Sequence, residues 1–408
     1  MTNINLGTHL ISGQAIALPV DKFTKHVAVL GMTGSGKTGI VINIAEQYVD
    51  ACIPTIIVDI KGDMCNLAMQ PFDVRKRMNF RVLTPGGSHG EQINLFANLQ
   101  RPERVKNTVS QLLMMIRAKD ANPLSSKQHS FLSKLLNHYH ANGVAVNLVG
   151  LITGVCDPPF RSFGALTLDD AFPSASRNAL AARLNNLLVA PSFERWRTGI
   201  DLDVSELLTS NSPDKPTNVT VYSVAHLDDD ERLFALALLF DSMEAWMRRQ
   251  RGTSALRAAL LVDECAGLLP PYPNKPATKG SLMTMLKQAR AYGLGLVLAS
   301  QNPMDLDYKA LSNCETWVVG RLQMAHDRRR VIEALATSTQ YDRHKLEARI
   351  GGLQPRQFVL CRPKSTADFR SVDVSAQLIG PMTPSEIATL VSTYDDDVAK
   401  LLEAFTSE

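Results

Sequence analysis

Gly31, Gly36, Lys37 and Thr38 satisfy the pattern GxxxxGK[ST] within "GMTGSGKTG", Gly31–Gly39. Glycines at such spacing let the backbone curl until successive N–H groups point inward at phosphate oxygens. A helix opening at Gly36 adds its positive end. On this reading Gly31, Thr33, Gly34, Ser35, Gly36, Lys37, Thr38 and Gly39 cradle the phosphates of ATP. Lys37 would meet the β and γ phosphates, and Thr38 would ligate Mg2+. The bland alternative is a glycine turn with no ligand. Chance alone gives the pattern in roughly one chain in a hundred of this length, and its context of apolar run before and helical run after argues further for phosphate.

Two further runs end in polar residues suited to the same chemistry. "LLVDE" closes on Asp263 and Glu264. An acid at the carboxyl end of a strand beside a phosphate loop sits where Mg2+ is held. Asp263 is therefore expected to hold the ion through water, and Glu264 to orient and polarise an attacking water. "LGLVLASQNP" places Gln301 at a strand end, where its amide can bond both the γ phosphate and that water; the alternative is a turn residue before Pro303. "VDIKGD" leaves Lys61 and Asp63 open between lining the site, facing a neighbour and forming a tight turn.

The elements that must position these groups alternate. Apolar runs at Lys25–Leu30, Pro54–Ile60, Asn79–Pro85, Val219–Ala225, Ala258–Glu264, Leu294–Gln301, Thr316–Leu322 and Arg356–Pro363 read as strands. "GIVINIAEQYVDA" and "DDDERLFALALLFDSMEAWMRRQ" read as helices, the second with acids first and arginines last, as its dipole favours. Strand–helix–strand order implies a parallel sheet covered by helices. Because "VTVYSVA" intervenes in sequence, an extra strand is expected between the two motif strands, which with Glu264 following Asp263 points to a RecA-like core. Residues 101–118, 125–141 and 174–190 carry helical spacing. The expected fold is α/β: a RecA-like P-loop ATPase core with a mainly parallel central sheet, formed by residues 1–90 and 217–380. A mostly helical insertion covers 91–216, left through the turn-rich Ser210–Asn218, and a helical tail covers 381–408.

Bulk properties set bounds. The 408 residues are 45% hydrophobic with a net charge of +3, so nucleic-acid contact would come from local patches such as Met247–Arg251 and Asp327–Arg330 rather than from a polycation. Solvated helix faces are the alternative for both. There is no run long enough for a membrane span and no secretion signal. Six cysteines without a CxxC pair argue against a disulfide scaffold or zinc site and for a reducing cytoplasm. His129, His138 and His140 share a helical stretch without further ligands at metal spacing, Cys265 reads as a small buried residue, and no nuclease motif is present.

Taken in order, "AVLGMTGSGKT", "LLVDE" and "ARAYGLGLVLASQNPMDLD" resemble the HerA/FtsK superfamily of DNA-pumping ATPases, with the nearest likeness to bacterial HerA-like ATP-binding proteins. Stretches such as "VDIKGDMCNL", "DPPFRSFGALTLDDAFP", "LNNLLVAPSFERW" and "LIGPMTPSEI" extend the likeness over residues 5 to 393. The resemblance implies a homohexameric ring that binds ATP between subunits and takes double-stranded DNA through its channel, with a nuclease or an antiviral-defence effector as partner. Either DNA movement or the scaffolding of that effector would be its main task. It also implies an arginine lent by the neighbouring subunit. Arg290 in "QARAYG" matches that position, with Arg321 in "VVGRL" as a second candidate. A helix-terminal arginine meeting the dipole is the alternative for Arg290. Only about 25 residues precede the first expected core strand, which would be too few for the β-barrel that HerA carries there.

Overall fold

The computed structural model describes residues 2–94, 99, 101–118, 124–209, 214–336, 342–363 and 365–394. Two compact units emerge. One comprises residues 1–83, 203–233 and 242–408; the other comprises 84–202 with 234–241. These limits differ from 91–216: residues 203–216 go with the sheet, and part of a long helix goes with the insertion. Ser210–Pro213 and the tail beyond Tyr394 lie outside the described residues.

The first unit is built on strands β1 (Asn3–His9), β2 (Ala15–Pro19), β3 (Val27–Leu30), β4 (Thr55–Asp59) and β5 (Met78–Leu83). After the short hairpin β6 (Ser162–Phe163) and β7 (Leu166–Thr167) of the second unit come β8 (Thr217–Ser223), β9 (Thr253–Val262), β10 (Tyr292–Ser300), β11 (Thr316–Val319), β12 (Gln357–Arg362) and β13 (Ser365–Ser371). Eleven of them form one sheet in the order β2-β1-β13-β12-β11-β3-β10-β9-β4-β8-β5. The seven from β11 to β5 are parallel, and the four at the other side are antiparallel. Parallel strands are covered on both faces, which is why β3 and β4 are buried at every position.

The strand between the phosphate loop and the acid pair is β10, not the run at Val219–Ala225. That run, β8, pairs with β4 and β5, away from the loop. Sequence order alone does not fix spatial order in a doubly wound sheet, because each helix crossover can place the next strand on either side.

Helix α1 (Lys37–Asp50) carries the loop into the core. Its Ile40, Val41, Ile42, Ile44, Ala45, Tyr48 and Val49 are all buried, and it packs on β1, β3, β8 and β10. So little of it meets water that the helix cannot shift without opening the core, which fixes the loop at its start. Later in the unit, helix Pro384–Ser392 starts with a reciprocal cap between Thr383 and Glu386.

In the second unit the helices Val105–Met115, Lys127–Ala141, Leu148–Cys156 and Ser174–Val189 surround Phe131, Leu132, Leu135, Leu136, Leu151, Val155, Leu180 and Leu184. Leu148–Cys156 was not read from the sequence. His129 is buried here, with ring nitrogens on the Ser110 and Ser133 hydroxyls and the Lys106 carbonyl. It is a satisfied core histidine.

Candidate functional site

The glycines of the loop follow directly from geometry. Gly34 and Gly36 sit at φ +77° and +96°, a region that side-chain-bearing residues rarely adopt. A Cβ on Gly36 would lie 3.3 Å from the Arg356 Cα, and one on Gly31 would lie 2.6 Å from the Ser35 hydroxyl. The loop is tied down on both sides: the Gly31 amide donates to the Ser300 carbonyl at 3.3 Å and the Met32 amide to the Arg321 carbonyl at 2.9 Å. It therefore hangs between the ends of β10 and β11.

Thr33, Gly34, Gly36, Lys37, Thr38 and Gly39 line a cavity of about 480 Å³. Gly31 and the buried Ser35 are not among its lining residues. Lys37 is 7% exposed, and its ammonium folds back to donate to the Gly31 and Met32 carbonyls, the second at 3.2 Å. Burial lowers its pKa to about 8. The nearby Lys61 charge acts in the same direction, while Glu264 and Asp263 oppose it.

Opposite the loop, Asp263 and Glu264 follow β9 directly. Asp263 is 2% exposed, and its Oδ2 is buried without a hydrogen-bond partner. Burial raises its pKa to about 6, against the pull of Lys61. Glu264 is nearly as buried. Its Oε2 pairs with the Lys61 ammonium at 3.0 Å, and its Oε1 faces the Gln301 and Ala266 amides at 3.4 Å each. Gln301 stands one residue past β10, and its side-chain Oε1 accepts the Thr33 hydroxyl at 2.7 Å. Lysine, threonine, both acids and the glutamine thus meet at the carboxyl edge of β3, β9 and β10, which is where an open parallel sheet places its ligands. Cys265 is fully buried, and burial pushes its thiol well up.

Lys61 and Asp63, left open by the sequence, both line the cavity. Their turn is held by Asp59 at the end of β4, whose carboxylate accepts the amides of Lys61, Gly62 and Met64 at 3.2, 2.7 and 3.2 Å. Asp59 is fully buried, and burial raises its pKa to about 7 even though these amides favour the charge.

Arg356 is a cavity residue that the sequence reading missed. It precedes β12 at φ +66°, donates its amide to the Ser35 carbonyl at 2.9 Å and pairs with Asp373 at 2.6 Å. Beyond it, Ser371–Val374 and Leu378 close the far side of the cavity. That segment is fastened to α1, where Glu46 accepts the Ser375 and Ala376 amides at 2.9 Å. Nothing in "LQPRQF" marks a left-handed arginine, and 320 positions separate it from Gly36.

The two other arginines stand outside the cavity. Arg290 is exposed and precedes β10, whose nine residues span roughly 30 Å. It is therefore at the opposite edge of the sheet from Gln301, beside Lys25 and Lys287. Arg321 is exposed just past β11, touching the loop through its carbonyl.

Among the described residues no group of three or more His, Cys, Asp or Glu side chains is placed to hold a metal ion. No helix among them is long and apolar enough to cross a membrane.

Comparison with known proteins gives one family and one fold. The family model "Helicase HerA, central domain" matches residues 4–175. A probable helicase of Methanocaldococcus jannaschii is 20% identical over 333 residues, covering 79% of this chain and 58% of that protein. The DNA double-strand break repair helicase HerA of Sulfurisphaera tokodaii is 22% identical over 336 residues, covering 81% and 61%. The chain thus spans about three fifths of the length of these curated relatives. Among solved structures, the conjugative coupling protein TrwB superposes with a TM-score of 0.62 at 16% identity, over 93% of this chain and 91% of that one. VirB4 of Thermoanaerobacter pseudethanolicus gives 0.63 at 14%, over 91% and 96%. TrwB has been solved with a non-hydrolysable ATP analogue and with ADP and Mg2+. At these identities the superpositions establish the RecA-like P-loop fold.

Proposed function

Since the chain belongs to the HerA/FtsK superfamily of P-loop ATPases, we propose that it hydrolyses ATP at a boundary between identical subunits and uses the cycle to move or remodel double-stranded DNA. The observation that carries the proposal is the convergence of Lys37, Thr38, Asp263 and Gln301 on one cavity at the carboxyl edge of the sheet, with Glu264 held beside it by Lys61 and the Gln301 amide.

The residues fit ATP and Mg2+. The loop turns at Gly34 and Gly36 with φ of +77° and +96°, where backbone rather than side chain meets the cavity, and Asp263 carries a buried oxygen without a partner, both of which suit an anion and a cation held side by side. Loop amides and Lys37 would hold the phosphates, and Thr38 and Asp263 the ion. Bound Mg2+ supplies neutralisation of phosphate charge. Glu264 then orients a water and takes its proton, while Gln301, held by Thr33, presents its amide N–H to water or phosphate.

Arg290 cannot contribute in its own subunit, because β10 holds it an edge away from the cavity. It is instead the group that a neighbouring copy would receive. A contact joining the cavity of one copy to the opposite edge of the next is heterologous, and such a contact gives a ring when the rotation between copies closes; a homohexamer is the proposed closed state. Arg321 is the alternative donor. A nuclease or defence effector is the proposed protein partner.

The decisive experiment measures ATP turnover and particle mass with and without duplex DNA. DNA stimulation of a ring-sized particle that weakens with added salt supports the proposal. A ring whose turnover ignores DNA but responds to an effector encoded by a neighbouring gene would instead make it an assembly ATPase. A monomer at every concentration would overturn both.

A further inference from the structure

We propose that Lys61 is a two-position cation that reads the terminal phosphate of the bound nucleotide. It neutralises Glu264 when that phosphate is absent and transfers to it when it arrives. The proposal rests on the reading of the cavity as an ATP site.

The first position is the one observed. Lys61 Nζ stands 3.0 Å from Glu264 Oε2, so the proposed base is half of an ion pair. A carboxylate oxygen engaged in this way has one fewer lone pair free for a water it would otherwise orient. The second position is available because Lys61 lines the same cavity as Lys37 and Thr38. The depression of the Lys37 pKa by the Lys61 charge is consistent with two ammonium groups sharing one space.

The surroundings let the ammonium move while its backbone stays. Asp59 grips the amides of Lys61, Gly62 and Met64. Gly62 sits at φ +93°, where an added Cβ would come within 3.0 Å of the Met382 carbonyl. Lysine carries its charge on a flexible four-carbon stem with three donors, suited to changing partners about a fixed Cα. The pair is also asymmetric: the Lys61 side chain is 33% exposed and that of Glu264 only 9%. The mobile member is the one nearer solvent.

Glu264 does not lose its place when Lys61 leaves. Its Oε1 still faces the Gln301 and Ala266 amides, and Gln301 is itself tied to Thr33 in the loop. A terminal phosphate would then release a base that is already positioned. ADP lacks that phosphate, so Lys61 stays on Glu264.

The test is equilibrium binding, with Mg2+, of a non-hydrolysable ATP analogue and of ADP to the wild-type protein, Lys61→Met and Lys61→Arg. Losing one charge-assisted contact should weaken the analogue roughly tenfold or more while ADP changes less than twofold. Lys61→Arg should recover most of the loss. Because Lys61→Met also leaves Glu264 uncompensated near the phosphates, the comparison is repeated in a Glu264→Gln background, where the analogue-specific loss should persist. If it vanishes there, Lys61 merely shields Glu264 and the proposal fails. It also fails if both nucleotides weaken equally or neither changes. A wild-type protein that binds neither nucleotide removes the ATP reading itself, a separate result.

Discussion

Arg290 and Gln301 stand at opposite ends of β10, so the strand that presents the proposed water-binding amide to one cavity carries an exposed guanidinium at its far edge. No side-chain rotation closes roughly 30 Å. If both residues serve hydrolysis, they serve different nucleotides. Arg290→Ala should therefore lower turnover about 10³-fold and leave nucleotide affinity near the wild-type value. Glu264→Gln should be equally inactive while trapping ATP. Mixing the two inactive proteins should restore measurable activity, since some hybrid interfaces pair an intact Glu264 with an intact Arg290. Turnover assays across mixing ratios check this, and the lack of any rescue would count against a shared site.

Lys37→Ala tests the cradle without touching the interface. The side chain is 7% exposed and makes its contacts with the loop's own carbonyls, so the variant should fold with at most a modest loss of stability. The wild-type protein should gain about 2.7 kcal/mol from MgATP at a hundred times its dissociation constant. The variant should gain nothing measurable. Thermal unfolding with and without MgATP reads the difference directly.

Gly36→Ala should have a similar functional result for another reason. At φ +96° a side chain is strained, and the methyl would press within 3.3 Å of the Arg356 backbone. The loop would have to rotate away, at a cost of about 1–2 kcal/mol, and its amides would no longer converge. Reduced affinity for MgATP together with a lowered melting temperature is the expected pair of readouts. A variant with unchanged affinity would mean that loop shape does not matter for binding.

What could be read from the sequence follows the range of the interactions involved. The phosphate loop, the acid pair and Gln301 are each local, with a buried β-branched or leucine-rich run followed at once by the polar group, so type and spacing are enough. β1, β2 and β13 lack that signal. They lie in the antiparallel part of the sheet, mix polar residues into half-exposed faces, and β1 contains Gly7, whose missing Cβ is demanded by the Arg370 carbonyl across the pair. A glycine needed for close approach reads, in sequence, as a turn. Arg356 and the Ser371–Leu378 segment reach the cavity only through tertiary contacts with Ser35 and Glu46, which no spacing encodes. The position of β10 is likewise a matter of topology: β8 and β10 both read as strands, and neither run says which strands it will pair with.

Asp263 allows a prediction about stability that is independent of turnover. Its carboxyl is raised from 3.8 to about 6 by burial. In the unfolded chain it ionises near 3.8, so between that pH and about 6 the unfolded state holds fewer protons than the native one, and stability falls as pH rises. Above about 6 the native protein carries the full cost of a buried charge, roughly 3 kcal/mol at 1.4 kcal/mol per pKa unit. Asp263→Asn keeps the shape and removes the charge. In the nucleotide-free protein it should therefore raise the melting temperature at pH 8, with the gain shrinking through pH 5 and disappearing near pH 4. With MgATP the order should reverse, because the wild-type carboxylate gains a cation and the amide does not. Unfolding curves over that pH range, with and without MgATP, check both halves. A variant less stable than wild type at pH 8 without nucleotide would show that the Asp263 charge is already compensated in the empty site.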